Sequence, residues 1–327
     1  MNRTTIVIFN ALIRAARPAS LLVGILLYAL GGGIAVYLGN LIDWAAYWLG
    51  QAAVTLLQMS SYLLREYFDR AGQPPFSREG DIARRKMRED FAAQDSLTGK
   101  GAEKGGEQEE LPIIVPRVIF LQVSLTALTA ATVLTVLLYA RGDLPPAAFL
   151  FVGLAVLLVV LYAVPPFRLV YSGYGELIIA ILTTNLFPAL AFLFQAGELH
   201  RLLPLMTLPL TFLYLATMLA RSLQTYLEDQ KTNRQTMMTR LGWQRGIVLH
   251  NILIAAAYIT LSAAVIAGLP WQLAFPAFLS LPIAALQIWQ INSIAGGAKP
   301  RWRLLAVNAM ATLGFAAYFM NLALWTS

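Results

Sequence analysis

Two short acidic stretches, each directly after a long apolar run, contain the residues best suited to chemistry. Glu66 and Asp69 are spaced i and i+3, while Glu228 and Asp229 follow a later run, where Asp229 shares a helix face with Thr225. Mg²⁺ prefers oxygen ligands and is commonly held by one or two carboxylates together with substrate phosphates. The two stretches therefore predict a magnesium site for an anionic ligand such as a diphosphate. For any one of these acids, the alternative interpretation is an ordinary polar residue at a helix end.

Basic residues accompany both acidic stretches. Arg70 follows the first, and Lys231 and Arg234 follow the second. Cations beside a metal-bound diphosphate neutralise the part of the phosphate charge that the metal ion does not neutralise. The mixed charge of the two stretches therefore favours a diphosphate ligand.

The composition indicates which elements position these residues. The chain of 327 residues is 58% hydrophobic and 13% charged, whereas a soluble domain carries about a quarter charged residues. Long continuous apolar runs predict membrane-spanning helices, because the strands of a membrane barrel would alternate apolar and polar residues. The absence of cysteine excludes disulfides and thiolate metal sites, and two histidines are too few for a histidine-rich metal cluster.

Nine spans, each long enough to cross a bilayer, can be placed along the chain. The fold class predicted is therefore an all-α, polytopic bundle that forms a single transmembrane domain over residues 1–327, with a flexible cytosolic loop at 70–112. The predicted spans are Ala19–Gly39, Trp44–Leu64, Ile113–Ala140, Ala147–Val164, Gly175–Ala196, Leu202–Ser222, Ile247–Gly268, Trp271–Ile291 and Leu304–Trp325.

The distribution of Lys and Arg predicts the orientation. All of the 24 basic residues except Arg141 and Arg201 fall at the N-terminus or in the loops after even-numbered spans. The positive-inside rule then places the N-terminus in the cytoplasm and the C-terminus outside, in the cell (inner) membrane. The net charge of +7 is explained by topology and the lipid bilayer, and no nucleic-acid partner is expected.

The motifs of this chain resemble those of the UbiA superfamily of intramembrane aromatic prenyltransferases. The resemblance covers most of the chain and includes the nine-span count. One segment is similar to the naphthoate prenyltransferases of the menaquinone-pathway branch. The stretches that carry the resemblance are Arg17-Pro18, residues 65–69, residues 161–169 with 173–177, and residues 228–242.

The acidic motifs depart from the family pattern. Arg65 stands in place of an Asn and Glu66 in place of an Asp, and Thr225 occupies a position where an Asp is common. Glu66 keeps the charge that a metal ligand needs. Asp69 and Asp229 match the family motif, so metal candidates remain in both stretches.

The resemblance implies transfer of a polyprenyl group from its diphosphate to an aromatic acceptor, a quinone precursor, with ionisation of the diphosphate assisted by Mg²⁺. It leaves open a catalytically impaired relative that binds an isoprenoid lipid. A small-molecule transporter is disfavoured, because the charges lie at span ends and not near the bilayer midplane. The site residues implied are Asp69, Asp229 and Lys231 for catalysis, Arg70, Tyr162, Arg168 and Arg234 for substrate binding, and Glu66, Asp69, Glu228 and Asp229 for the metal.

Three further polar residues fall within predicted spans. Glu176 and Asn185 lie in the fifth span, and polar groups at membrane depth are functional candidates; Asn185 could instead satisfy backbone near a kink at Pro188. His250 lies in the seventh span and is expected to hydrogen-bond between helices.

Overall fold

The computed structural model describes residues 3–71, 115–142, 144–231 and 234–327, apart from the side chains of residues 3, 4, 70 and 71. Within these ranges the ordered elements are all helical and there is no strand, which confirms the predicted all-α class. The predicted cytosolic loop at 70–112 lies outside the described residues from residue 72 onward.

Thirteen α-helices can be labelled in chain order within the described ranges. They are α1 (Arg3–Ala16), α2 (Pro18–Tyr37), α3 (Trp44–Ala71), α4 (Arg117–Ala140), α5 (Pro146–Ala163), α6 (Gly175–Ile181), α7 (Phe187–Ala196), α8 (Leu202–Lys231), α9 (Met237–Leu241), α10 (Trp243–Ile266), α11 (Trp271–Phe278), α12 (Leu281–Ala295) and α13 (Trp302–Thr326). A π-helical turn, Leu182–Leu186, joins α6 to α7.

The predicted spans match this helical pattern closely. In the part of the chain that the structure describes, eight helices are long and apolar enough to cross a membrane, with α6–α7 and α11–α12 each counted as one. The remaining predicted span, Trp44–Leu64, corresponds to α3, which has 28 residues. This helix is less apolar because it carries polar side chains such as Gln58 and Ser61, and both are fully buried inside the bundle. The chain is an integral membrane protein.

Two helices extend well beyond the apolar runs that predicted them. Helix α3 continues to Ala71 and α8 continues to Lys231. Hydropathy marks where the apolar sequence stops, but backbone hydrogen bonding continues through the polar residues that follow. As a result Asp69 and Asp229 are helical residues with fixed directions, which a loop would not provide.

The centre of the bundle is tight where α2 meets α7. A Cβ atom at Gly31 would lie 2.0 Å from the backbone oxygen of Pro188, so only glycine permits this approach. Close backbone contact through small residues is a common way for helices to pack in a membrane.

The α1–α2 junction, the ends of α3, α5 and α8, and the start of α13 meet at one end of the bundle, because residues from each of them surround a single cavity there. The opposite end holds the ion pair between Arg141 and Asp43, at 2.8 Å. The segments predicted to share one side of the membrane therefore do converge.

Candidate active site

A cavity of 470 Å³ occupies the end of the bundle where α3 and α8 stop. Its charged lining is dominated by arginine, so the cavity favours an anion. The charged residues that line it are Arg14, Arg17, Arg65, Arg221 and Arg234, against the acids Glu176 and Asp229.

On the α3 side, Asp69 is held by two arginines. Nε of Arg65 lies 3.4 Å from Oδ2 of Asp69, and Nη2 of Arg168 lies 3.2 Å from Oδ1. Arg65 also donates from Nη1 to the hydroxyl of Tyr162 at 3.2 Å. Because Arg65 and Asp69 are one helical turn apart, α3 itself aligns the pair. Arg65 is only 6% exposed, so its charge acts inside the protein.

On the α8 side, Asp229 is held by its own helix and by the turn that follows it. The hydroxyl of Thr225 donates to Oδ2 of Asp229 at 2.8 Å, one turn away along the helix. The chain then turns back so that the backbone N–H of Arg234 donates to the Asp229 carbonyl at 2.8 Å. This turn brings Nη1 of Arg234 to 3.7 Å from Oδ1 of Asp229.

Tyr171 connects the two sides. The guanidinium of Arg168 lies 4.6 Å from the centre of its ring, and that of Arg234 lies 5.7 Å from the same ring. Burial raises the pKa of the Tyr171 hydroxyl, and its hydrogen bond to Asp69 and the charge of that carboxylate raise the pKa further. The hydroxyl therefore stays protonated and donates to Asp69.

Two of the arginines have left-handed backbones. Arg17 has φ 53° and Arg168 has φ 35°, and no other non-glycine residue in the described ranges has a positive φ. Such conformations are costly for residues with a Cβ and are found preferentially at functional sites. Arg17 precedes Pro18, a position that disfavours the right-handed helical conformation. The strained backbones direct both side chains toward the charged cluster.

Glu176 lies at the start of α6, on the cavity wall. Its Oε1 accepts the backbone N–H of Met237 at 3.2 Å. Its Oε2 is buried and has no hydrogen-bond partner within the described parts of the chain. A buried carboxylate oxygen without a partner is unusual and indicates a ligand, an ion or water at that position.

The segments 168–176 and 234–242 are tied together beside the cavity. Gly173, at φ 77°, donates its N–H to the carbonyl of Gln235 at 3.1 Å. Arg240 donates to the carbonyl of Ser172 at 2.8 Å and lies over the ring of Tyr174. The two most specific motifs of the sequence are thus in direct contact.

Five of the predicted site residues come together in this cluster. They are Asp69, Tyr162, Arg168, Asp229 and Arg234.

The other predicted residues lie elsewhere. Glu66 lines an adjoining pocket of 330 Å³ together with Arg14, Arg17 and Arg65. Glu228 and Lys231 are exposed and do not line the cavity. The side chain of Arg70 lies outside the described residues.

The predicted metal ligands do not form one cluster. Across ranges 3–71, 115–142, 144–231 and 234–327, no three His, Asp or Glu side chains lie together in a way that could hold a metal ion. Asp69 is paired with arginines, whereas Asp229 and Glu176 line the cavity. The acids are therefore not grouped around one point. The role of each acid as a ligand stays a prediction.

Sequence reasoning did not assign several cavity residues to the site. Arg14, Arg65 and Arg221 were missed, and Glu176 was named only for its depth in a span. A usable signal existed, since Arg65 and Arg221 follow or interrupt apolar runs, and charges at such positions are functional candidates.

An apolar groove of 710 Å³ adjoins the cavity and shares Arg221 and Ala306 with it. Its other walls come from α2 and α13, including Ala19, Met310 and Phe315. The site therefore offers a basic chamber next to a hydrocarbon-like surface.

Comparisons with known proteins agree with this fold. The model of the UbiA prenyltransferase family matches residues 109–308. A UbiA homolog from Archaeoglobus fulgidus, solved bound to GPP and Mg²⁺, is 15% identical, with a TM-score of 0.62 over 97% of this chain and 99% of that chain. The same homolog bound to DMAPP and Mg²⁺ is 16% identical, with a TM-score of 0.61 over 96% and 99%. Among curated proteins no match is found. At these identities the structural likeness establishes the fold.

Proposed function

The chain belongs to the UbiA prenyltransferase family, and we propose that it transfers a polyprenyl group from its diphosphate to an aromatic acceptor within the described cavity. The observation that carries this proposal is the basic cavity of 470 Å³, lined by five arginines and joined to an apolar groove. An anionic head with a hydrocarbon tail is the kind of molecule that fits such a pair of surfaces.

The arginines would bind the diphosphate end. Guanidinium groups present several N–H donors in a fixed plane and match phosphate oxygens in pairs. Arg17 and Arg234 both line the cavity, although they are far apart in the sequence. Donors placed beforehand around the leaving group would stabilise the negative charge that grows on it as the C–O bond breaks.

The apolar groove would hold the prenyl chain. It runs along α13, with Ala19 at the start of α2 on its wall, and begins at Arg221 and Ala306, which also line the cavity. A prenyl diphosphate whose head lies among the arginines could therefore extend its tail along this groove. An apolar surrounding also keeps water away from a reactive allylic cation.

The residues present fit a magnesium ion on the α8 side. Glu176 has a buried oxygen without a partner in the described chain, and Asp229 lines the same cavity. Two carboxylates plus substrate phosphates are a common ligand set for this ion. The homologous structures are solved with isoprenyl diphosphates and Mg²⁺, which supports the same dependence here. When bound, the ion would act as a Lewis acid on the leaving diphosphate.

Tyrosines on the cavity wall would face the reacting carbon. Tyr62 and Tyr162 are both 3% exposed and line the cavity beside Arg65. Aromatic faces attract cations when desolvated, so these rings would stabilise an allylic cation while the acceptor attacks it.

We further propose that the acceptor is a quinone precursor. The support is the similarity of residues 161–169 and 173–177 to the naphthoate prenyltransferase branch, and these residues lie beside the cavity. The arginine-rich end of the bundle would face the cytoplasm, with the N-terminus on that side of the cell (inner) membrane and the C-terminus outside.

The test is incorporation of radiolabelled prenyl diphosphate into extractable lipid by membranes that contain this protein. A panel of aromatic acceptors would be offered with Mg²⁺ and with EDTA, and membranes that contain the Asp229→Asn variant would serve as control. We expect a labelled product that requires Mg²⁺ and is absent with the variant. Folded protein that gives no product with any acceptor would point instead to a relative that only binds isoprenoid lipid.

A further inference from the structure

On the α3 side of the site, both oxygens of the Asp69 carboxylate are held by arginines. Asp69 accepts from Arg65 at one oxygen and from Arg168 at the other, and the hydroxyl of Tyr171 donates to it as well. Mg²⁺ requires near-octahedral oxygen ligands at about 2.1 Å. An ion at Asp69 would displace these donors and would stand beside two guanidinium charges.

We propose that Arg65 itself is the cation that binds the diphosphate on this side, and that Asp69 positions Arg65 and does not ligate Mg²⁺. This inference rests on the proposed function, because it assigns partners to the same diphosphate. It gives the cavity one metal-binding side, at Asp229 and Glu176, and one side that relies on a fixed arginine.

The geometry of Arg65 supports this role. Asp69 fixes its Nε and Tyr162 fixes its Nη1. These contacts use two of the five N–H groups of a guanidinium, so others remain for a ligand in the cavity that Arg65 lines. A planar donor held by two neighbours loses little freedom when it binds a phosphate.

The neighbouring arginines indicate that an anion binds on the α3 side, next to Arg65. Arg14 and Arg17 line both the main cavity and the adjoining pocket together with Arg65. Burial lowers the pKa of Arg17, and the positive charge of Arg65 lowers it further. Like charges gathered around one cavity repel one another until an anion binds between them.

The two sides can be separated by measuring binding without turnover. The probe is the S-thiolo analogue of geranyl diphosphate, which resists ionisation, bound to the purified protein and followed by calorimetry. Each protein would be titrated with the probe in Mg²⁺ and in EDTA, and then with Mg²⁺ at a fixed probe concentration. The variants are Arg65→Gln, Arg65→Lys, Asp69→Asn and Asp229→Asn.

We expect the unaltered protein to bind the probe in EDTA with affinity reduced by about tenfold or less. Arg65→Gln should weaken binding by about tenfold or more in both conditions, as expected for loss of a charge-assisted hydrogen bond. Arg65→Lys should recover part of that loss. Asp69→Asn should leave the half-saturating Mg²⁺ concentration unchanged, whereas Asp229→Asn should raise it by about tenfold or more.

Three outcomes would overturn the inference. An equal increase of the Mg²⁺ requirement in Asp69→Asn and Asp229→Asn would return Asp69 to the metal. Binding that disappears in EDTA would show that Arg65 and its neighbours do not hold the diphosphate without the metal. Either result would leave the proposed function intact. No binding of the probe in either condition would reject both. If Arg65→Gln does not fold, the Mg²⁺ titrations of Asp69→Asn and Asp229→Asn still decide between the two roles.

Discussion

The charged cluster at the cavity and the polar network between α10, α12 and α13 both contain buried polar atoms, yet in the described ranges only the network has all of them paired. In the network, Gln287 contacts Nε2 of His250 at 2.8 Å and accepts from Thr312 at 3.0 Å. Asn308 donates to Gln290 at 2.9 Å. None of these residues has an unpartnered buried polar atom in the ranges that the structure covers.

The charged cluster at the cavity is not fully paired. Nε of Arg168, Nε of Arg234 and Oε2 of Glu176 are buried without a partner in the described segments. Arg17 and Arg168 have left-handed backbones, and Arg17, Glu176 and Arg234 line a cavity. Polar groups that serve only structure are normally satisfied within the protein. Unsatisfied charges around a cavity are therefore explained by a ligand that the cluster binds, and the predictions below test this difference.

The largest effect is expected for Asp229→Asn. Removal of this carboxylate from the cavity wall should lower turnover by about 100-fold to 1,000-fold, as seen when one preorganised electrostatic group is lost. The measurement is kcat for prenyl transfer at saturating Mg²⁺.

The matched control for Asp229→Asn is Glu228→Gln. Glu228 carries the same charge on the same helix but is exposed and does not line the cavity. Its change should affect turnover by less than about fivefold, the range of an exposed charge. Equal losses in the two variants would mean that the acidic end of α8 acts through its general charge and not through one positioned carboxylate.

Glu176→Gln should come next in size. The amide oxygen can still accept the N–H of Met237, while the unpartnered charge of Oε2 is removed. Turnover should fall by about 100-fold, and the thermal unfolding midpoint should stay the same or rise, because an uncompensated buried charge is lost. Normal turnover with a lower midpoint would place Glu176 with the structural network.

Gln287→Leu should show the opposite pattern. This change removes the partner of a His250 nitrogen and leaves the hydroxyl of Thr312 with only its bond to the carbonyl of Asn308. The free energy of unfolding should fall by about 1 kcal/mol, within the range measured for polar contacts between membrane helices, and kcat should be unaffected. Leu286→Ala, at an exposed neighbour on α12, serves as the control. Loss of turnover in folded Gln287→Leu would show that the network also supports the site.

The sequence was sufficient to predict the helical class, most of the span positions and the meeting of Asp69 with Asp229 at one end. Long apolar runs and the distribution of basic residues determine these features directly. The prediction that His250 forms an interhelical hydrogen bond is confirmed by its contact with Gln287. Asn185 was left undecided between a functional role and a bond to backbone at a kink. It lies within the π-helical turn, and its side chain bonds to the hydroxyls of Thr211 and Thr207, so neither alternative is confirmed.

The pairing of charges could not be predicted. Spacing along α3 puts Arg65 and Asp69 on one face, but it does not show that Arg168, 99 residues later, reaches the same carboxylate. The lengths of α3 and α8 were also underestimated, because the apolar sequence ends before the helical backbone hydrogen bonds do. Which side chain contacts which depends on how α3, α5 and α8 pack, and the sequence contains that information only indirectly.

The smallest effect is expected at the other end of the bundle, for Arg141→Gln. The Arg141–Asp43 pair is 44% and 45% exposed, unlike the buried pair of Arg65 and Asp69. The backbone N–H groups of Ala46 and Ala45 and then the charge of Arg141 lower the pKa of Asp43 below its ordinary value of 3.8. A lowered pKa in the folded state stabilises the protein above the unfolded pKa, and that contribution is lost as the pH falls through the folded pKa.

The expected result for Arg141→Gln is therefore normal turnover, with an unfolding midpoint slightly lower than that of the unaltered protein at pH 7. The difference should shrink as the pH falls from about 4, the pKa of an unfolded aspartate, through the lower pKa of folded Asp43. It should also shrink in high salt, which screens exposed charges. Thermal unfolding at neutral and acidic pH and at two salt concentrations measures both effects. A decrease at pH 7 larger than that of Gln287→Leu, and insensitive to salt, would contradict the view that ion pairs matter in this bundle only where they are buried around the cavity.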